Sequence, residues 1–292
     1  MVFVWYPARE AGGARKVEYL PAKWAALAQP RFQRYDRFST NAFEDAPMLA
    51  GRHPLLLLLP GMGGLPTDYT FLAEDLASFG YVVAGIAPAG SSRVVVFPDG
   101  RVVRGSAGVD LEHRERAQPL VDRWLADCGQ TLDYLIGEGQ VDPRRIGIVG
   151  HSFGGAVAMQ AVVRDSRLQR GVNLDGAPQG TLAEPASKPF LLVNGAPLPP
   201  SQQVLNDRIL ADLQSYCLSD RAECRMEDFP EAGHMNFSDA GLMPLAFPVP
   251  NSRLGISGID SLGFLQVVAR RLRAFFVPLS VPGDGSSIFV TP

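Results

Sequence analysis

Apolar residues follow two rhythms along this chain. Leu55 to Leu59 is an unbroken apolar run of strand length, and Tyr81 to Ile86, Ile146 to Gly150, Gly171 to Asp175 and Phe190 to Val193 are mostly apolar runs of similar length. Such short runs are typical of strands covered on both faces, as in parallel sheets under helices. Between them, apolar positions recur at helical spacing. Phe71, Leu72, Leu76 and Phe79 predict one helix, capped by Thr67 or Asp68 and ended by Gly80. Further helices are predicted over Glu112 to Gly137, Ala156 to Val163, Val204 to Tyr216 and Ile259 to Phe276. Val2 to Tyr6 reads as a first strand and Arg225 to Phe229 as the last. Val94 to Val103 reads as a hairpin turning at Pro98-Asp99-Gly100, and Asp142 to Arg145 as a turn. A connector from Arg9 to Arg52 carries a helix-like piece around Ala22 to Ala28. Strands alternating with helices predict an α/β protein with a mostly parallel central sheet covered on both faces. One domain is expected over residues 1–292, with pocket-bordering insertions near 88–110 and 240–258.

Composition narrows the picture. The chain is 46% hydrophobic and 20% charged, which is ordinary globular chemistry and not that of a disordered segment. A net charge of −3 offers no basic surface for nucleic acid. The run Leu55 to Leu59 is too short to span a bilayer. The start, Met1 to Pro7, has no basic region or cleavage site of a signal peptide and reads as strand, which leaves the compartment open. Of three cysteines, Cys128 falls on a predicted helix and reads as a small buried hydrophobe. Cys217 and Cys224 either close a small loop as a disulfide in an exported protein or stand as two free thiols. The four histidines are too scattered for a zinc site, and neither metal nor other cofactor is expected.

The strongest chemical signal is Gly150-His151-Ser152-Phe153-Gly154, a G-x-S-x-G between an apolar strand and an apolar helix. Small flanking residues let strand and helix approach, and the serine stands at a helix N-terminus, where developing negative charge is favoured. A serine hydroxyl needs a base, and the base needs an orienting acid. His234 is the one histidine C-terminal to Ser152, in a loop after the predicted last strand. His53 and His113 precede the serine and read as local, and His151 as a support for the turn. Asp175 ends the run Gly171 to Leu174 and precedes Gly176, whereas the next strand ends in Val193-Asn194-Gly195 without a carboxylate. Asp175 is therefore the expected acid. Asp207 and Asp212 read as solvated helix charges, and Asp239 as a cap or surface charge. Two backbone amides are expected to hold an oxyanion, those of Phe153 and of Met62 in Pro60-Gly61-Met62-Gly63-Gly64. That glycine-rich loop lacks the Lys-Ser/Thr of a phosphate-binding loop. Phe237, Leu242, Met243 and Phe247 are candidate walls of an apolar substrate pocket, with core packing as the alternative.

These residues give the chain a resemblance to the lipoprotein-associated (plasma-type) platelet-activating-factor acetylhydrolase family and its bacterial relatives. The resemblance rests on Val4-Trp5-Tyr6-Pro7; on Leu59 to Gly64 followed by Asp75 to Tyr81; on Gly150 to Gly155 with Leu174-Asp175-Gly176; and on His234 to Asp239. It implies an α/β-hydrolase fold and cofactor-free hydrolysis of small-molecule or lipid esters with short acyl groups, by a Ser152, His234, Asp175 triad. It leaves association with a membrane or lipoprotein surface, and the oligomeric state, open. Two other readings use the same residues: an acyltransferase, and a catalytically silent binding protein. The latter has no physical need for all three groups.

Overall fold

The computed structural model describes residues 1–9, 14–27, 37–106, 108, 110–181, 184–218, 223–243 and 255–279. In chain order its strands and helices are β1 (Val2–Trp5), β2 (Lys16–Glu18), α1 (Ala22–Leu27), β3 (Ser39–Phe43), β4 (His53–Leu59), α2 (Thr70–Ser78), β5 (Val82–Ile86), β6 (Val94–Val96), β7 (Val102–Arg104), α3 (Gln118–Gly137), β8 (Val141–His151), α4 (Phe153–Arg164), β9 (Arg170–Leu174), β10 (Phe190–Asn194), α5 (Gln203–Cys217), β11 (Cys224–Asp228) and α6 (Ser261–Phe276). Seven strands form one sheet in the order β1-β5-β4-β8-β9-β10-β11. Only β1 runs antiparallel to its neighbour, pairing Val2 with Ile86. The other pairings are parallel.

The leucine run shows why this sheet needs two covers. Leu55, Leu57 and Leu59 point into a core shared with Val121 and Trp124 of α3, Val157 of α4 and Leu213 of α5. Leu56 and Leu58 point the other way, to Leu72 and Leu76 of α2 and Leu265 and Leu272 of α6. Successive side chains of a strand face opposite sides, so an uninterrupted apolar run buries itself only between two helical layers. A third cluster joins Tyr19, Trp24, β6, which pairs with β7 as a hairpin, Ala240, Met243 and Ile256.

Several local expectations change. Asp142 to Arg145 is not a turn: it lies inside β8, at an irregularity where the register against β4 shifts between His53 and Leu55. The helix predicted from Phe71 is preceded by a 3-10 turn, Pro66–Tyr69. Thr67 and Asp68 sit inside that turn, and Asp68 reaches back to the Leu65 N–H at 2.8 Å while binding Arg93. Phe79 is 55% exposed, with the Arg273 guanidinium over its ring. The short antiparallel pair β2–β3 has no clear apolar rhythm in the sequence. Cys217 and Cys224 form a disulfide that ties the end of α5 to the start of β11, and Cys128 is buried. Among the described residues no helix is long and apolar enough to cross a membrane.

Candidate active site

The site is assembled at the C-terminal ends of β8, β9 and β11. β8 ends at His151, and the chain then turns into α4 within one residue. Ser152 makes that turn with φ 56° and ψ −123°. A left-handed φ is costly for a residue with a side chain, and it persists only where the surroundings enforce it. Here they do. The Ser152 N–H donates to Leu174 O at 2.9 Å, and its carbonyl accepts from Gly155 and Ala156. A methyl group placed on Gly150 would sit 2.1 Å from Gly154 O, so the strand and helix meet where only glycine fits.

Asp175 follows β9, also with a left-handed φ of 53°. Asn173 clamps the turn after it, accepting from Gly176 N and donating to Gly176 O, each at 2.8 Å. Asp175 Oδ1 accepts from Gly195 N at 2.7 Å, at the end of β10, and Oδ2 faces His234 Nδ1 at 2.6 Å. Burial works against its charged form, yet the hydrogen bond and charge of His234, with Gly195 N–H, hold its pKa below the ordinary carboxylate value. His234 Nε2 lies 2.9 Å from Ser152 Oγ. Three residues far apart in sequence thus form one continuous hydrogen-bonded chain.

The loop after β4 lies against Ser152. A methyl group on Gly61 would come within 3.2 Å of the Ser152 Cβ. Of the four amides from 61 to 64, three are committed: Gly61 N–H to Tyr69 Oη, Gly63 N–H to Ser91 O and Gly64 N–H to Gly61 O. The Met62 N–H has no acceptor among the described residues. Gly63 takes φ +76°, as the third residue of a type II turn requires. Phe153 is the first residue of α4, so no helical carbonyl reaches its N–H.

His151 was expected only as a support, and its partners are specific. Nδ1 faces Tyr69 Oη at 2.8 Å and Nε2 faces His234 O at 2.9 Å. Tyr69 therefore ties the loop after β4 to the histidine loop through His151. Nothing in the sequence singled out Tyr69 or Gly195. His53 contacts Leu49 O, and His113 pairs with Asp110.

Ser152, His234, Asp175 and Phe153 line one cavity of about 770 Å³, walled by Leu111, Leu198 and the inward face of α5. Of the four candidate pocket residues, the three that are described do not join them. Phe237 is fully buried in the core under α6, its ring centroid 5.0 Å from that of Phe264. Leu242 packs against the same cluster. Met243 belongs to the cluster around Tyr19 and Trp24. Residues 237–243 of the loop after His234 pack onto α6 and the third cluster instead of across the cavity, which is why these apolar residues are core. Phe247 lies outside the described residues. No described residue of 88–110 or 240–258 lines the cavity either. β6 packs into the third cluster, and Leu111 is the first described residue past the hairpin that lines the cavity. Asp239 is no surface charge: it is 2% exposed, accepts from Tyr19 Oη at 2.9 Å and caps the first turn of α2 by accepting from Phe71 N, while Ser238 caps the turn that Asp239 opens. Asp212 is paired, with Arg114.

The alpha/beta hydrolase family model matches residues 56–233. The chain is similar to the platelet-activating factor acetylhydrolase of Cavia porcellus, 26% identical over 171 residues, which cover 48% of this chain and 39% of the relative. It is also similar to a probable 1-alkyl-2-acetylglycerophosphocholine esterase of Arthroderma benhamiae, 28% identical over 129 residues, 44% of this chain and 32% of the relative. The match thus spans well under half the length of these relatives. Among solved structures, a ferulic acid esterase from Streptomyces cinnamoneus superposes with a TM-score of 0.80 at 27% identity, covering 98% of this chain and 87% of that one.

Proposed function

The chain belongs to the alpha/beta hydrolase family, and from that premise we propose that it is a serine-dependent carboxylic ester hydrolase working through an acyl-enzyme. The observation that carries this reading is the unbroken hydrogen-bond chain from Asp175 through His234 to Ser152, opening on a single cavity. The similarity to acetylhydrolases and to a ferulic acid esterase supports it.

In this mechanism the Asp175 carboxylate holds the proton of His234 on Nδ1, which leaves Nε2 free to accept. Ser152 Oγ attacks the ester carbonyl as its proton passes to Nε2. The tetrahedral oxyanion is held by the N–H groups of Met62 and Phe153, one such donor contributing about 3 kcal/mol to the transition state. His234 then protonates the departing alkoxide, and an acyl group remains on Ser152. Water, deprotonated by His234, attacks that acyl group and releases the acid. Preference for short acyl groups is part of the proposal and rests on the acetylhydrolase relatives. A cavity of about 770 Å³ holds far more than an acetyl group, so the bulk of the substrate lies elsewhere in the ester.

Hydrolysis of 4-nitrophenyl acetate in the presence of a chelator tests this. Wild type turns over, and Ser152→Ala loses activity by on the order of 10⁴-fold or more. A Ser152→Ala enzyme that keeps most of the activity removes Ser152 as nucleophile.

A further inference from the structure

Among the described residues, four polar wall residues of the cavity beside Ser152 are not used by the proposed chemistry: Asn194 and Asp228, which bond each other at 2.8 Å, Asn206, which accepts from Leu198 N, and Gln179. Gln179 lies there, a few residues past Asp175, and is only 1% exposed. Its main chain is held: its carbonyl accepts from Gln160 Nε2 at 2.7 Å, and the next N–H, of Gly180, donates to Arg114 O at 2.8 Å. Its side-chain amide is not held. Neither Nε2 nor Oε1 has a hydrogen-bond partner among the described residues. Buried amides are almost always paired, because leaving both ends unmade costs the desolvation of a donor and an acceptor. Such an exception in the wall of a ligand cavity is explained by a partner that arrives with the ligand.

The amide also says what that partner is. It presents a donor and an acceptor side by side, so a group that both donates and accepts satisfies it fully. The charged side chains among the described lining residues are Asp175 and Asp228, and no lysine or arginine joins them. A carboxylate or phosphate would pair with Nε2 alone while facing Oε1 and two acids. A hydroxyl meets both ends without charge. Most of the remaining wall is apolar, with Leu111, Leu198, Ile209, Leu210 and Leu213, and the amides of Asn194 and Asn206 are already engaged within the protein. Resting on the ester-hydrolase reading above, we propose that Gln179 is a specificity-determining residue that binds a hydroxyl carried by an otherwise apolar, uncharged ester. The amide head is shut off from solvent, so binding the hydroxyl requires it to turn toward the cavity.

The test uses matched esters that differ by one hydroxyl: 4-nitrophenyl 3-phenylpropanoate against its 4-hydroxyphenyl analogue for the acyl part, and 2-phenylethyl acetate against its 4-hydroxyphenyl analogue for the alcohol part. In wild type, kcat/KM for the hydroxylated member of at least one pair is expected to be about tenfold higher, as one net hydrogen bond gives. Gln179→Met, which keeps the length and removes both amide atoms, brings that ratio to about one. Wild-type ratios near one in both pairs overturn the proposal with no variant needed, and so does a preference that survives in Gln179→Met. Turnover of 4-nitrophenyl acetate separates the two readings: if it proceeds while the ratios stay near one, only the role of Gln179 falls. If wild type hydrolyses none of these esters, the hydrolase reading falls and takes this one with it.

Discussion

His151 is held neutral chiefly by its burial, and that makes stability depend on pH in a calculable way. Gly61 N–H occupies the Tyr69 oxygen as acceptor, so the phenol proton points to His151 Nδ1. Nδ1 is then the accepting nitrogen, and Nε2–H donates to His234 O. Burial, with the neighbouring His234, pushes the His151 pKa down to about 3. A histidine in an unfolded chain titrates near 6.5. Between these values the unfolded chain binds a proton that the folded chain refuses, so stability falls as pH falls through this window. The slope approaches about 1.4 kcal/mol per pH unit, about 5 kcal/mol over the whole window. His151→Asn removes the titration and leaves Tyr69 Oη and His234 O poorly paired, lowering stability at pH 8 by about 1–3 kcal/mol per orphaned group. Urea unfolding of both proteins from pH 8 to pH 4 reads the difference. Wild type is expected to lose stability more steeply, by about 1 kcal/mol per unit below pH 6, so that the two curves converge in acid. Other groups titrate in both proteins and cancel in the difference. Parallel curves would show that His151 has the same protonation folded and unfolded, which refutes the assignment.

Two further outcomes follow from the site. Asp175→Asn should fold and lose kcat by on the order of 10⁴-fold, because the amide favours the wrong tautomer of His234; loss of less than tenfold in steady-state kinetics would place the orienting acid elsewhere. Gly155→Ala places a methyl 2.0 Å from Asn173 Oδ1, the atom that holds the turn after Asp175. It should destabilise by about 1–3 kcal/mol and cut activity with it, and a wild-type Tm would show that Asn173 gives way freely.

The central sheet was legible because two-sided burial writes itself into sequence as continuous apolar runs, of which Leu55 to Leu59 is the plainest. Glycines with one steric role marked the turn at Ser152. The connections were less legible. The N-terminal pair β2–β3 has exposed, mixed-polarity positions, so no rhythm announces it. Phe237 and Met243 are apolar and close to His234 in sequence, and hydrophobicity alone does not separate a cavity wall from a core. Asp239 looked like a surface charge because its partners, Tyr19 and Phe71, come from segments far away in the chain. Tyr69 and Gln179 carry no local signature at all. Their roles exist only once the loop after β4, the end of β8 and the segment past β9 are brought together.

The bond between Tyr19 and Asp239 spans 220 residues and closes the fold from its first tenth to its last fifth. On a ribosome the chain appears from the N-terminus at about 5–20 residues per second. Tyr19 therefore waits on the order of ten seconds or more for its partner. During that wait the β2–β3 pair and α1 have no Asp239 to lean on, and the histidine loop has not yet been made. The turn at Ser152 needs no residue beyond Leu174 for its hydrogen bonds, so it can form before the proposed base arrives. On the proposed mechanism the nascent protein thus carries its serine unarmed until His234 has been added.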